Sequence, residues 1–288
     1  MVEAFFSHPF LVMALLAGMA ASFTGGIVGS YVVVKRIVFI SGSIAHSVLG
    51  GMGLFLWLKR SYHLEWLSPL QGALVAALAS AFLIGWIHLK YREREDTVIA
   101  AIWSTGMSIG VVFIALTPGY NVELMNFLFG NILWVSKSDL YMLLGLDALV
   151  LGVTLLCHQK FLAICFDETQ AALQGTKVPR TYMLLLSLVA ISVVILIQVV
   201  GAILVIAMLA IPAAIAGTLT TRLTRMMGIA IGLGSLFTIV GLGLSYQMNW
   251  PPGATIALTA ALFYLGSLIR KRSGRPLFLI LKACSKHR

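Results

Sequence analysis

Charged residues are scarce in this sequence. They make up 10% of the 288 residues, whereas soluble domains carry about 25%. A water-soluble fold with so little charge and 60% hydrophobic residues would aggregate, which argues against an ordinary soluble enzyme. The basic residues, which set a net charge of +10, stand in short clusters between apolar runs. This pattern is typical of the loops of a membrane protein and argues against a nucleic-acid-binding surface.

Cysteines and catalytic motifs are few as well. The three cysteines, Cys157, Cys165 and Cys284, form no CxxC pair, so neither a disulfide framework nor a zinc motif is indicated. The sequence contains no GxxxxGK[ST] nucleotide loop, no GxSxG and no HExxH. We therefore expect a chain that is not an enzyme and that binds no cofactor tightly.

Long apolar runs are what the sequence has in abundance. Each is about 20 residues long, enough to cross the hydrocarbon core, and lipid forces such a run to be helical. The expected fold class is therefore all-α, a polytopic membrane bundle of nine helices, or of eight if Gly201 does not divide one long run. The predicted runs are 10–33, 38–58, 68–89, 98–117, 139–157, 181–199, 201–217, 226–247 and 253–269.

The distribution of basic residues predicts the orientation. When the loops alternate, every Lys and Arg except Lys59, Arg60 and Lys137 falls on one side. Cytoplasmic loops carry the excess of basic residues, so the C-terminus is expected inside and the N-terminus outside. Residues 1–275 are expected to form one transmembrane domain, and residues 276–288 a basic cytoplasmic tail.

Small residues recur four positions apart in several of these runs. Such pairs let membrane helices approach closely. Four pairs favour a compact bundle: Gly25 with Gly29, Gly106 with Gly110, Ala213 with Gly217, and Gly228 with Gly232.

His46 lies within an apolar run and is the first candidate functional residue. A polar group at bilayer depth is a functional candidate by default. On a helix, Ser43, His46 and Ser47 share one face. Imidazole is the commonest metal ligand, so this face is a candidate metal site, with a structural interhelical hydrogen bond as the alternative.

Asp147 is the second, because it lies in the middle of another apolar run. A lone carboxylate there is costly unless it is paired, protonated or hydrated. It could be a metal ligand, a partner of His46 or a protonated packing residue.

A cytoplasmic segment, 162–180, has the signals of a short helix. Asp167 is a good N-cap, Gln170 stands at the capping-box position, and Gly175 can end the helix. A partner protein could accept the apolar side of this helix in a groove, with an ordinary linker helix as the alternative.

Seven stretches, taken in order, resemble the permease subunits of ATP-binding-cassette (ABC) importers for zinc, manganese and iron. The resemblance covers nearly the whole chain and extends more distantly to cobalamin-type (type II) permeases. The stretches are 29–36 (GSYVVVKR), 44–47 (IAHS), 96–97, 127–133, 166–175, 201–214 and 251–256.

One position departs from the family pattern. Many relatives have an aspartate four residues before the histidine, where this chain has Gly42. Ser43 and Ser47 are weak substitutes, and Asp147 is another source of the missing carboxylate. Without that carboxylate the sequence slightly favours zinc, followed by manganese or iron, as the transported ion.

The resemblance implies the rest of the transport machinery. It implies two permease copies, a homodimer or else a heterodimer, with the ion path at their two-fold axis in a bacterial inner membrane. It also implies cytoplasmic ATPase subunits and an extracytoplasmic metal-binding protein. An ion-gradient-driven secondary transporter is the alternative. The residues implied to couple to the ATPase are Asp167, Glu168, Gln170, Ala171 and Gly175.

Overall fold

The computed structural model describes residues 9–91, 95–118 and 132–272. Within those ranges the predicted helix bundle is confirmed, with nine helices long and apolar enough to cross a membrane. A short 3-10 turn, Ile132–Trp134, precedes the fifth helix. The helices are α1 (Pro9–Val34), α2 (Val38–Tyr62), α3 (Pro69–Tyr91), α4 (Glu95–Leu116), α5 (Lys137–Phe166), α6 (Glu168–Leu173), α7 (Val178–Val200), α8 (Ala202–Leu219), α9 (Leu223–Met248) and α10 (Pro252–Arg272). All but α6 are candidate membrane spans.

Helix α7 lies at the centre of the bundle. Its sequence is apolar on every side, and a helix of that kind is buried all round. The helix contacts α1, α2, α3, α5 and α8. Its side chains from Leu185 to Ile197 are almost all inaccessible. The other helices therefore pack around it in two groups.

The two groups of helices meet at α7. In the first, α1 packs against α5, α8 and α9, and α10 covers α8 and α9. In the second, α2 packs against α3 and α4. Among the described residues, helix α4 is contacted mainly by α2, so its opposite side is left open by that part of the chain. This side carries the exposed polar residues Ser104, Thr105 and Ser108.

Gly201 separates α7 from α8, as predicted. Its φ is 85°, in the left-handed region that glycine adopts without a steric penalty. Its N–H makes the last helical hydrogen bond of α7, to the carbonyl of Ile197 at 2.8 Å, and its positive φ turns the chain out of that helix. The choice of nine helices over eight is therefore confirmed in the described part of the chain.

The predicted end of α5 at residue 157 is wrong. The helix runs nine residues further, to Phe166, so the expected coupling segment 162–180 begins inside it. The hydropathy of the sequence placed the end of the helix too early because His158 and Lys160 interrupt the apolar run. The helix persists because Phe161 and Ile164 are fully buried and Tyr31 of α1 contacts this turn. The Tyr31 and Phe161 rings meet edge-on with centroids 5.4 Å apart.

The small-residue pairs behave in two different ways. A β-carbon on Gly29 would overlap the carbonyl oxygen of Leu209 in α8, so this pair lies at a close helix crossing. A β-carbon on Gly106 would lie 2.5 Å from Cα of Ser47, so α4 meets α2 backbone to backbone. In contrast, a β-carbon on Gly228 or Gly232 would meet no atom of a neighbouring helix within 4 Å in the described chain. The second kind of pair is therefore not at a close helix crossing within the described residues.

Two sequence predictions lie outside the described residues. They are the basic tail 276–288 and residues 127–131 of the family signature.

Candidate metal path and coupling segment

His46 lies on α2, about 12 Å along the helix from Val38. Its imidazole is half-buried and stacks on the indole of Trp103 in α4. The ring centroids are 4.3 Å apart and the planes differ by 13°. The imidazole is thus held at the contact between α2 and α4, beside the helix whose outer side is open.

Ser43 and Ser47 are buried next to His46, but their hydroxyls are already engaged. Ser43 donates to the carbonyl of Ile99 in α4 at 3.0 Å. Ser47 donates to the carbonyl of Ile44 at 2.9 Å and accepts from Ser80 of α3 at 2.8 Å. These bonds tie α2 to both its neighbours, and a ligand role for either hydroxyl stays a prediction.

Asp147 faces a different helix pair. Its carboxylate accepts a hydrogen bond of 2.6 Å from the hydroxyl of Thr24 in α1. Helix α5 packs on α1 and α7, whereas His46 belongs to the group formed by α2, α3 and α4. The hydrogen bond gives the carboxylate one of the partners that a polar group in lipid needs. Its alternative role as a metal ligand stays a prediction.

The described residues hold no group of three or more His, Cys, Asp or Glu side chains that could bind a metal ion. Among the predicted ligands, the structure brings together His46, Ser43 and Ser47. A sparse donor set suits a transit site, because conduction requires that the ion also leave.

The short helix α6 forms as the sequence predicts. Asp167 is its N-cap and accepts hydrogen bonds from the backbone N–H groups of Thr169 and Gln170 at 2.8 and 3.0 Å. Gly175 follows the helix with a φ of 82°. Ala171 is buried, whereas Gln170 and Gly175 are exposed. The cap and the glycine fix both ends of this helix.

Exposed apolar side chains project from the last residue of α5 and from the last residue of α6. Phe166 is 71% exposed and Leu173 is 85% exposed. Between the end of α5 and α6 lies a groove of about 400 Å³, lined among others by Leu162, Phe166 and Gln170. Exposed large apolar side chains beside such a groove are typical of a surface that a partner covers.

The carboxylate of Glu168 lies against the membrane helices. Its carboxylate is 2.5 Å from Nζ of Lys35 and 3.4 Å from Nε2 of His88 in α3. The hydrogen bond from His88, and then the bond and positive charge of Lys35, lower the pKa of Glu168 from 4.5 to about 2, although partial burial opposes them. Glu168 is therefore ionised at neutral pH.

Sequence reasoning missed the partners of these residues. Trp103 beside His46, Ser80 beside Ser47, and Lys35 and His88 beside Glu168 all come from other helices. No spacing along the chain reports such contacts. The one available signal was that Ser80 and His88 are polar residues in or near an apolar run, which makes them functional candidates by default.

Comparison with known protein families identifies the family of this chain. The ABC 3 transport family matches residues 7–271. The chain belongs to the ABC 3 transport family. The predicted membership among metal-transporting ABC permeases is confirmed, and the chain is a multi-pass membrane protein.

Relatives of this ABC 3 family chain carry metal-transport names. It is 50% identical over 272 residues to a protein of Chlamydia pneumoniae named probable metal transport system membrane protein, covering 94% of this chain and 92% of that one. It is 31% identical over 277 residues to the manganese transport system membrane protein MntC of Listeria monocytogenes, covering 95% of each.

A solved structure agrees with the fold. The chain is similar to one from PsaBC of Streptococcus pneumoniae in complex with Fab, with a TM-score of 0.79 and 30% sequence identity. The match covers 92% of this chain and 93% of that one.

Proposed function

We propose that this ABC 3 family chain is the permease subunit of an importer that carries a divalent transition-metal ion into the cytoplasm. A separate ATPase subunit supplies the energy, and an extracytoplasmic metal-binding protein delivers the ion. The observation that carries the proposal is α6, a capped helix with exposed Phe166 and Leu173 beside a groove. The family match favours this function over an ion-gradient-driven transporter.

The open side of α4 supports a second permease copy. Ser104, Thr105 and Ser108 are exposed on a helix that is apolar enough to span the membrane. Small polar residues are typical of helix–helix interfaces in lipid. We place a second copy against this side in a homodimer, with the ion path between the copies and His46 beside it.

The orientation follows from the basic residues. Lys35 and Lys177 lie at the same end of the bundle as α6, whereas Lys59 and Arg60 lie near the other end of α2. We place α6 and the C-terminus in the cytoplasm of a bacterium and the N-terminus outside.

Two observations bear on the metal. The imidazole of His46 suits zinc, whereas manganese takes oxygen ligands more readily, so the sequence alone slightly favours zinc. The name of the MntC relative, 31% identical to this chain, favours manganese. We therefore expect manganese to be transported best, with zinc as the competing ion.

Co-purification tests the proposal. We expect the solubilised chain to retain an ATPase subunit, and we expect ATP hydrolysis by the complex to rise when metal-loaded binding protein is added. A chain that retains no ATPase but carries metal under an ion gradient would be a secondary transporter. A chain that does neither would be a membrane scaffold.

Gly42→Asp tests the role of the face that carries His46. A β-carbon at residue 42 would meet only Trp103, at 3.8 Å, so the site has room for a larger side chain. The new carboxylate would stand one helical turn before His46, where the two side chains can meet. We expect metal binding to tighten, measured as a lower half-saturation concentration for uptake. Gly42→Asn adds similar bulk without charge, and equal effects from both variants would contradict a ligand role.

Gly175→Pro tests the coupling role of α6. Proline requires a φ near −65°, and it lacks the N–H that Gly175 donates to Ala172 at 3.0 Å. No atom lies within 4 Å of a β-carbon at residue 175, so the membrane helices should still fold. We expect ATP hydrolysis to continue without metal uptake. Asparagine tolerates the left-handed conformation, so the control variant Gly175→Asn should retain metal uptake. Normal uptake by the proline variant would contradict the proposal.

A further inference from the structure

The first residue of α6 is bound to the membrane helices from several sides. Glu168 is 28% exposed, and its carboxylate lies against the side chains of Lys35 and His88. Because the carboxylate is turned inward, it is not placed to contact a protein docked on the outer face of α6. Its partners show which parts of the bundle it holds.

Lys35, just after the end of α1, is the main partner. Its side chain is 13% exposed and donates to Glu168 at 2.5 Å. The same ammonium donates to the carbonyl of Ile164, in the last turn of α5, at 2.8 Å. It also lies 5.7 Å from the ring centroid of Tyr182 in α7. One cation therefore links α1, α5, α6 and α7.

His88, near the end of α3, is the second partner. Its Nε2 lies 3.4 Å from the same oxygen of Glu168 that Lys35 binds. The imidazole also packs on Tyr182, with ring centroids 4.7 Å apart. Glu168 thus contacts α3 as well as α1, and Tyr182 supports both of its partners.

The cluster of Lys35, His88 and Glu168 is partly shielded from solvent, with side-chain exposures of 13%, 22% and 28%. Exposed ion pairs contribute little because water and salt screen them, whereas breaking a buried pair leaves an uncompensated charge. Removing either Lys35 or Glu168 would leave the other charged in a partly buried position. The cluster should therefore move as a unit when α6 is displaced.

Helix α3 connects this cluster to the predicted metal site. His88 and Ser80 are eight residues apart, about 12 Å along the helix. Ser80 donates to Ser47 at 2.8 Å, and Ser47 follows His46 in α2. A displacement of α3 is therefore passed directly to the turn of α2 that carries His46.

We infer that Glu168 is a positioning residue that couples movement of α6 to α1 and α3, and through α3 to His46. In this arrangement the ATPase is contacted by the outer side of α6, and Glu168 transmits the resulting displacement into the membrane. The inference rests on the proposed function, since it requires an ATPase that moves α6.

The test measures metal uptake per ATP hydrolysed in proteoliposomes that contain the whole importer. We expect Glu168→Gln and Lys35→Gln to retain the ATPase subunit and to hydrolyse ATP, but to transport about fivefold to tenfold less metal per ATP, the lower part of the range of allosteric coupling. Arg225→Gln is the matched control, because it removes an exposed cation from the start of α9. It should transport like the wild type.

Exchanging the charges of Lys35 and Glu168 tests whether the two residues act as a pair. The double variant carries Lys35→Glu and Glu168→Lys. Its lysine and glutamate side chains together have the same total length as in the wild type, so the two charged groups can still form an ion pair. We expect the double variant to recover only part of the uptake per ATP that either single change loses, because a glutamate at residue 35 cannot donate to the carbonyl of Ile164. A single variant that fails to fold would be recognised by its melting temperature, and rescue by the exchange would still identify the pair.

Three results would overturn the inference. They are normal uptake per ATP in both single variants, no recovery in the double variant, or loss of the ATPase subunit from Glu168→Gln alone. The last would mean that Glu168 contacts the ATPase directly. If the wild-type importer itself shows no ATP-driven uptake, the proposed function fails, and that failure is visible before any variant is compared.

Discussion

His46→Ala is expected to reduce metal uptake by at least about tenfold at limiting metal, since loss of even an outer-shell partner of a metal ligand costs roughly 10–100-fold. The imidazole is the strongest metal donor on its face of α2, because the neutral hydroxyls of Ser43 and Ser47 are weaker ligands than an imidazole nitrogen. The measurement is initial uptake of radioactive manganese by cells that depend on this importer.

The variant should still assemble. Removing the imidazole leaves Trp103 without its stacking partner, but the backbone contacts between α2 and α4 at Gly106 remain. His63→Asn is the matched control, because His63 is an exposed histidine whose φ of 54° asparagine tolerates. Unchanged uptake in His46→Ala, with the complex intact, would reduce His46 to a structural histidine.

Gly29→Ala is expected to destabilise the protein strongly. Its new β-carbon would overlap the carbonyl oxygen of Leu209, and two further backbone atoms of Leu209 lie 2.9 and 3.2 Å away. Backbone cannot rotate out of the way as a side chain can, so α1 and α8 must separate. We expect a loss near or above the upper end of the roughly 1–3 kcal/mol typical of overpacking. Thermal unfolding in detergent measures it.

Gly228→Ala provides the matched comparison. It belongs to a pair with the same spacing, in α9, but its new β-carbon would meet no atom of the described chain within 4 Å. Alanine also favours helix over glycine, so stability should hold or rise slightly. A large loss in Gly228→Ala together with a small one in Gly29→Ala would contradict the packing described here.

Local signals were enough to predict the membrane helices and the short helix α6. The runs of apolar residues predict the nine spans because lipid allows only helices there. Gly201 and Gly175 were correctly predicted as breaks, and both have positive φ. Asp167 was correctly predicted as an N-cap because its hydrogen bonds are made within three residues.

Contacts between helices could not be predicted in the same way. The pairs at Gly29 and Gly228 are indistinguishable along the chain, and only the neighbouring helix decides which is packed. The end of α5 was misplaced because burial of Phe161 depends on Tyr31, more than a hundred positions earlier. The inward direction of Glu168 depends likewise on Lys35 and His88.

Metal uptake by proteoliposomes that contain this chain and its ATPase subunit distinguishes an ATP-driven importer from a gradient-driven transporter. With metal-loaded binding protein outside the vesicle and ATP on the side of α6, we expect manganese to accumulate in the compartment that contains ATP. Accumulation should stop without ATP and persist when ion gradients are collapsed by ionophores. Uptake that continues without ATP, or that disappears when the gradients are collapsed, would contradict ATP-driven import.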